Sequence, residues 1–224
     1  MRVDLMQGTS EWHVWRAGGL GASDCAAALG IVAPWDRVQD GFRGKRRRFR
    51  PMTPEEVRYR LWEEKTGRRT REPANFAMQE GTRREPMIRA EYERRTGLLV
   101  EPACYQHDDL PWLRASLDGI TFDGEEIVEC KYPRAESHRL ALAGTIPQHY
   151  VPQLDVQLLV SGAVRADFVS HNDAAEFQGD ERFAVVTRDV RWVDGDVRML
   201  EDLARFWHCV TSDKYEPMAR EVAV

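Results

Sequence analysis

Ala115-Ser-Leu-Asp-Gly-Ile-Thr-Phe-Asp-Gly-Glu-Glu-Ile-Val-Glu-Cys-Lys131 is the stretch that decides the fold. Two runs of strand-like residues flank Asp123-Gly124, a dipeptide suited to a two-residue type I′ turn, whose central positions both need φ > 0. The spacing predicts a β-hairpin closed at that turn. In its register Asp118 lies across from Glu129, Ile120 from Ile127 and Ser116 from Lys131. The other face collects Leu117, Gly119, Val128 and Cys130. One register thus yields one apolar face and one face with two carboxylates and a lysine, whereas a one-residue slip would exchange every side chain between faces.

Opposed residues in such a pair have Cβ atoms ~4.5–5.5 Å apart. Carboxylates that close repel each other and push one pKa up. A divalent cation relieves the conflict, and hard oxygen ligands suit Mg2+ or Mn2+. Lys131, two residues past Glu129, projects from the same face. There its ammonium can orient an attacking water and stabilise charge in a phosphoryl transition state. On spacing alone, a surface hairpin with a scattered salt bridge explains the trio better.

The remainder of the chain narrows the class. Its 224 residues fit one compact domain with a sizeable core, and 42% hydrophobic with 31% charged residues is ordinary for a globular protein. No apolar run reaches the ~18 residues of a membrane span, and the polar N-terminus does not read as a signal peptide, so a cytoplasmic location is expected. Cys25, Cys104, Cys130 and Cys209 stand singly, and the six histidines lack metal-ligand spacing. Zinc and iron–sulfur chemistry are therefore disfavoured, and the cysteines read as small buried side chains. Gly41-x-x-Gly44-Lys45 has the wrong spacing for a nucleotide-binding P-loop. The net charge of −5 hides a cluster of six cations within residues 43–50, and Arg68-Arg-Thr-Arg71 adds three more. Such runs are either solvated loops or DNA contacts.

The first third reads helical: Ser10 caps a helix through Arg16, Ser23 caps another over residues 24–29, and an arginine-rich loop follows. Residues 54–66 and 76–96 read as helices, the second kinked or broken at Pro86. Strands are expected at 98–106, 113–121, 126–132, 164–170 and 183–190, with helices at 148–161 and 196–210. This is an α/β domain around a mixed sheet. A single domain over residues 1–224 would comprise a helical part (about 1–97), a sheet core (about 98–190) and a closing helix (about 194–212).

Further blocks give the hairpin a context. They are Glu11-Trp-His-x-x-Arg16 with Gly21-Ala-Ser-Asp24; Gly81-x-x-x-Glu85-Pro86 with Tyr92 and Thr96-Gly97; Ala115-Ser-x-Asp-Gly119 with Glu129-x-Lys131; and Tyr150-x-x-Gln153-x-x-x-Gln157 with Gly162. In this order, over residues 11–162, they resemble the phage lambda exonuclease (YqaJ-type viral recombinase) family of the PD-(D/E)XK nucleases. The resemblance implies a restriction-endonuclease-like core: a central mixed β-sheet flanked by helices. It implies a Mg2+-dependent 5′→3′ exonuclease on double-stranded DNA ends that leaves 3′ single strands for recombination. Two metal ions would be held by Asp118, Glu129, Glu85 and the Cys130 carbonyl, with Mn2+ able to substitute. Lys131 would assist the nucleophilic water, and Gln153 matches an active-site glutamine. A trimeric ring and a single-strand annealing partner are likewise implied.

Arg16, Ala22 and Ser23 match a pocket for the terminal 5′-phosphate, where a guanidinium and the amides of a helix start suit an anion. Trp12 is either core or a base-stacking ring, Ser23 either a helix cap or a phosphate ligand, and Gln153 and Gln157 could merely satisfy buried backbone. Glu85 could be a solvated helix acid. Residues 43–50 resemble a segment that touches downstream duplex. Asp155 departs from the pattern, standing where relatives carry a second glutamine, with Gln157 a weak substitute. A sequence- or structure-specific endonuclease of the same fold and a non-catalytic DNA-binding module are the rival readings.

Overall fold

The computed structural model describes residues 1–43, 46–70, 76–189 and 195–218. In chain order its elements are β1 (Arg2–Val3), α1 (Ser10–Ala17), β2 (Leu20–Gly21), α2 (Cys25–Ala28), β3 (Arg37–Arg43), β4 (Arg46–Pro51), α3 (Pro54–Lys65) and α4 (Phe76–Thr96), then β5 (Val100–Gln106), β6 (Leu113–Thr121), β7 (Glu126–Lys131), α5 (Ala135–Leu142), α6 (Val151–Ser161), β8 (Arg165–His171), β9 (Phe183–Asp189) and α7 (Gly195–Thr211). They form two compact units: β1, α1, β2, α4, β5–β9, α5 and α6 in one, and α2, β3, β4, α3 and α7 in the other. Among the described residues no helix is long and apolar enough to cross a membrane.

The first unit is built on a mixed sheet in the order β1-β5-β6-β7-β8-β9, with β2 beside β6. Pairs β7/β8 and β2/β6 are parallel, and the others are antiparallel. Side chains alternate between faces along a strand, so β7 serves two helices. Val128 and Cys130 join Val169, Ile88 and Tyr92 in a core beneath α4. Glu129 faces α6 instead, which donates to it from Gln153 and Gln157. α4 continues through Pro86 as one helix, so of the expected kink or break the break does not occur.

The hairpin register is as expected, with Gly119↔Val128 and Ile120↔Ile127, but its turn is not. Phe122–Glu125 form a four-residue loop in which the Gly124 N–H donates to the Thr121 carbonyl at 2.9 Å. Gly124 has φ +77, whereas Asp123 is not among the positive-φ residues, which rules out type I′. The Thr121 hydroxyl accepts from the Glu126 N–H and the Asp123 carboxylate from the Glu125 N–H, so side chains satisfy the amides of the wider loop. The wider loop has the same centre as the two-residue turn, so the register survives.

β6 also carries a bulge that the sequence reading did not anticipate. Its pairing with β5 passes from Glu101↔Ile120 to Ala103↔Leu117, so Asp118-Gly119 together oppose Pro102. Proline has no N–H for the ladder, which favours a bulge at that point. Gly119 is needed there, because a Cβ would stand 2.7 Å from a Val100 methyl.

The second unit packs α3 and α7 through Trp62, whose indole donates to the Cys209 carbonyl at 2.9 Å, and through Arg58 stacked on Phe206. α3 starts with a full capping box, Thr53 with Glu56, and proline in its first turn. The arginine-rich stretch is a correction. It was expected as a loop, yet β3 and β4 form an antiparallel hairpin there (residues 44–45 lie outside the described ones). Arg48 pairs with Asp40 and Arg50 with Glu56, so ion pairs replace the apolar alternation that usually marks a strand. With β1 and β2, these strands make the first third less helical than expected. The helix caps are corrected as well: Thr9, not Ser10, caps α1, and α2 starts at Cys25 with no side-chain cap.

Candidate active site

The β6–β7 ladder ends at Gly119↔Val128, and the next residue on each strand is Asp118 and Glu129. Past that point the Asp118 carboxylate takes over the role of a ladder carbonyl, accepting from the Cys130 main-chain N–H at 2.8 Å. A strand residue directs its N–H and C=O to the same neighbour, so the Cys130 carbonyl faces the same gap. The thiol lies in the core beneath α4.

Glu129 is only 2% exposed, and both of its oxygens are served. Gln153 donates to Oε1 and Gln157 to Oε2, each at 2.5 Å, and Lys131 also donates to Oε1. Gln157 was expected to be a weak substitute for a missing glutamine, but its placement on Glu129 makes it a full member of the cluster. Asp155, which occupies the departing position, pairs with Arg188. Glu85 reaches the cluster from α4, bonded to Arg89.

The electrostatics match three acids around one gap. Burial, then Glu129 and Glu85, push the Asp118 carboxyl well above the usual carboxylate range. Burial also raises Glu85, with Glu129 adding to the effect and Arg89 and Lys131 opposing it. For Lys131 burial disfavours the ammonium, but Glu129 and Asp118 outweigh it and hold the pKa above that of an ordinary lysine. The two acids thus favour the ammonium form of Lys131 in this arrangement.

Among the described residues no three His, Cys, Asp or Glu side chains are arranged to hold a metal ion as they stand. Lysine, arginine, amide and backbone donors bond to these carboxylates. The chemistry of the donor set nevertheless fits a hard cation. Among the described residues Asp118 Oδ1 and Glu85 Oε2 take no hydrogen bond, while Asp118 Oδ2 and Glu85 Oε1 do. With the Cys130 carbonyl, these are oxygen donors of the kind Mg2+ or Mn2+ accepts.

The other expected residues converge on β6 from α1. The Trp12 indole donates to Ser116 Oγ at 2.9 Å, and Trp12 is buried at the edge of the core, not exposed for base stacking. The Arg16 guanidinium stacks on the Trp12 ring and donates to Ser23 Oγ at 2.6 Å. Ser23 lies in a short 3-10 turn, Ala22–Asp24, and does not cap a helix. The helix-start argument for an anion site at Ser23 therefore lapses, and the Arg16–Ser23 pair remains. Ala22 is buried. Ser116, which sequence reasoning placed only opposite Lys131, instead links this pair to the strand of Asp118.

A mixed sheet flanked by helices, with an Asp…Glu-x-Lys set where two strands part, defines the restriction-endonuclease-like PD-(D/E)XK class. A model of the YqaJ-like viral recombinase domain matches residues 11–164, and the chain belongs to that family. Among solved structures the chain is similar to an alkaline exonuclease (LHK-Exo) from Laribacter hongkongensis, at 24% identity and TM-score 0.72 over 92% of this chain and 94% of that one. LHK-Exo in complex with dAMP matches at 25% identity with the same coverage and TM-score. A phage related exonuclease from Haemophilus somnus 129PT shares the fold at 11% identity and TM-score 0.57, over 87% of this chain and 96% of that one. No curated protein matches the chain.

Proposed function

We propose that this chain is a divalent-metal-dependent exonuclease that degrades double-stranded DNA from 5′ ends and leaves 3′ single strands. The observation that carries the reading is the sharing of β6: Asp118 belongs to the carboxylate cluster, and Ser116, two residues earlier, anchors the helix of Arg16. Two residues of strand span about 7 Å, so an end held at Arg16 and Ser23 would present a nearby phosphodiester to the cluster. The binding of dAMP by LHK-Exo suits this reading, since a deoxynucleoside monophosphate is a product of stepwise DNA hydrolysis.

Asp118, Glu85 and the Cys130 carbonyl would hold Mg2+ or Mn2+, with Glu129 beside them; two ions would account for three acids. The metal would supply Lewis-acid activation of the phosphate and of the attacking water. Lys131, held as a cation by Glu129, would orient that water and offset charge on the phosphoryl oxygens. Gln153 and Gln157 would fix the Glu129 rotamer. In the second unit Arg37 and Arg47, which have no acid partner among the described residues, would supply phosphate contacts to duplex. Family resemblance supports a trimeric ring and a single-strand annealing partner.

The test compares 5′-phosphorylated linear, nicked circular and closed circular duplex with Mg2+ and with EDTA. Release of mononucleotides from linear DNA in Mg2+ alone is expected. Cutting of closed circles at the same rate would replace the exonuclease with an endonuclease, and no cutting of any substrate would leave a DNA-binding module.

A further inference from the structure

Arg89 lies one helical turn after Glu85 on α4, and its side chain is 18% exposed. A single nitrogen, Nη1, donates to Glu85 Oε1 at 3.3 Å and to the Asp118 main-chain carbonyl at 2.8 Å. The first contact alone would be an ordinary i,i+4 ion pair. The second crosses to the bulge of β6, where Asp118-Gly119 face a proline and the Asp118 carbonyl accepts from a side chain. The guanidinium thus binds the backbone of one acid and the side chain of another, and it leaves Asp118 Oδ1 and Glu85 Oε2 unengaged.

We propose that Arg89 is a positioning residue for the cation-binding acids. Capping the Asp118 carbonyl holds the bulge in the conformation that turns the Asp118 carboxylate onto the Cys130 N–H. Holding Glu85 Oε1 fixes the second acid beside it. Arg89 touches neither reacting atom nor DNA in this role; it acts through Asp118 and Glu85. The inference rests on the nuclease reading of the cluster.

The test uses the full-length protein with Arg89→Met and Arg89→Lys. Cleavage of linear duplex is followed in Mg2+, and Ca2+ binding without cleavage is followed by calorimetry. Arg89→Met should lower kcat roughly 100-fold while KM for DNA stays within about threefold. Its Ca2+ affinity should weaken roughly tenfold, as expected on losing a residue that orients ligands. Arg89→Lys, which keeps one terminal nitrogen able to approach both oxygens, should recover at least about a tenth of the wild-type kcat. Wild-type Ca2+ affinity in Arg89→Met overturns the proposal, whether kcat is kept or is lost with the thermal midpoint as for a mere fold brace. If the wild type cuts no DNA, the nuclease reading fails instead, and the Ca2+ isotherms still report whether Arg89 arranges the acids.

Discussion

The Asp118 carboxylate bonds to the Cys130 main-chain N–H at 2.8 Å, at the step where the β6–β7 ladder stops. A side chain that both completes a sheet and carries charge can have those roles separated. Asp118→Asn keeps an oxygen to accept from Cys130 and removes a charge that burial, Glu129 and Glu85 all disfavour. The variant should melt at or above the wild-type temperature, yet cleave DNA at least roughly 100-fold more slowly. Calorimetry beside a nuclease assay checks both. Wild-type cleavage by Asp118→Asn would remove Asp118 from the chemistry.

The two glutamines of α6 divide Glu129 between them, and their loss should not be equivalent. Without Gln153, Oε1 still has Lys131; without Gln157, Oε2 loses the donor found for it. Leaving a buried acceptor unsatisfied costs about 1–3 kcal/mol. Gln157→Leu should therefore lower the thermal midpoint more than Gln153→Leu, and both should slow cleavage. Equal midpoints would show that water replaces the lost amide.

These contrasts explain what could be read from the chain and what could not. The hairpin register was legible because side chains alternate with period two, and Ile120, Ile127 and Val128 leave one consistent choice. The turn was misread because Thr121 and Asp123 hydrogen-bond the loop amides, a local competition that the Asp-Gly dipeptide does not reveal. The bulge depends on which strand meets Asp118-Gly119; its one local signal is Pro102, a strand proline. Gln157 was named beside Gln153 but given little weight, whereas Arg89 was passed over although it stands four residues after Glu85, a helical spacing that was the signal available. The arginine hairpin was missed because its strands carry arginines in ion pairs with Asp40 and with Glu56 of α3 in place of an apolar alternation.

A second acid pair should leave a mark on stability. The Tyr92 hydroxyl meets Glu126 at 2.6 Å and Asp167 at 2.9 Å, with Arg165 near both acids and Thr187 on Asp167. Burial raises the Glu126 pKa; the Tyr92 bond opposes this and Asp167 adds to it. A carboxyl whose pKa is raised on folding binds more protons in the native state. Its contribution is present at low pH and lost as pH rises through the raised value. Glu126→Gln, which holds an amide in place of the protonated acid, should leave the midpoint nearly unchanged below about pH 4 and raise it at about pH 9. A constant difference across that range would show that folding does not raise the Glu126 carboxyl.

End recognition is the prediction on which the exonuclease reading depends most. Arg16 is positioned by stacking on Trp12, and Trp12 by its bond to Ser116, so the guanidinium is tied to the strand of Asp118 through two contacts. Its partner Ser23 offers a neutral hydroxyl beside the guanidinium. A terminal phosphate is a dianion, and a guanidinium can bind it bidentately. Binding energy that one kind of end provides should appear as discrimination between ends. Linear duplex with 5′-phosphates should therefore be digested faster than 5′-hydroxyl duplex. Arg16→Ala should lose most of that preference while the slow rate on 5′-hydroxyl ends changes little, since the carboxylate cluster is untouched. Substituting Ser23 by Ala should act in the same direction but more weakly, because a neutral hydrogen bond to phosphate is worth less than a charged one. Digestion of both ends at one rate by the wild type, or an Arg16→Ala loss equal on both, would detach Arg16 from end binding and favour internal cutting.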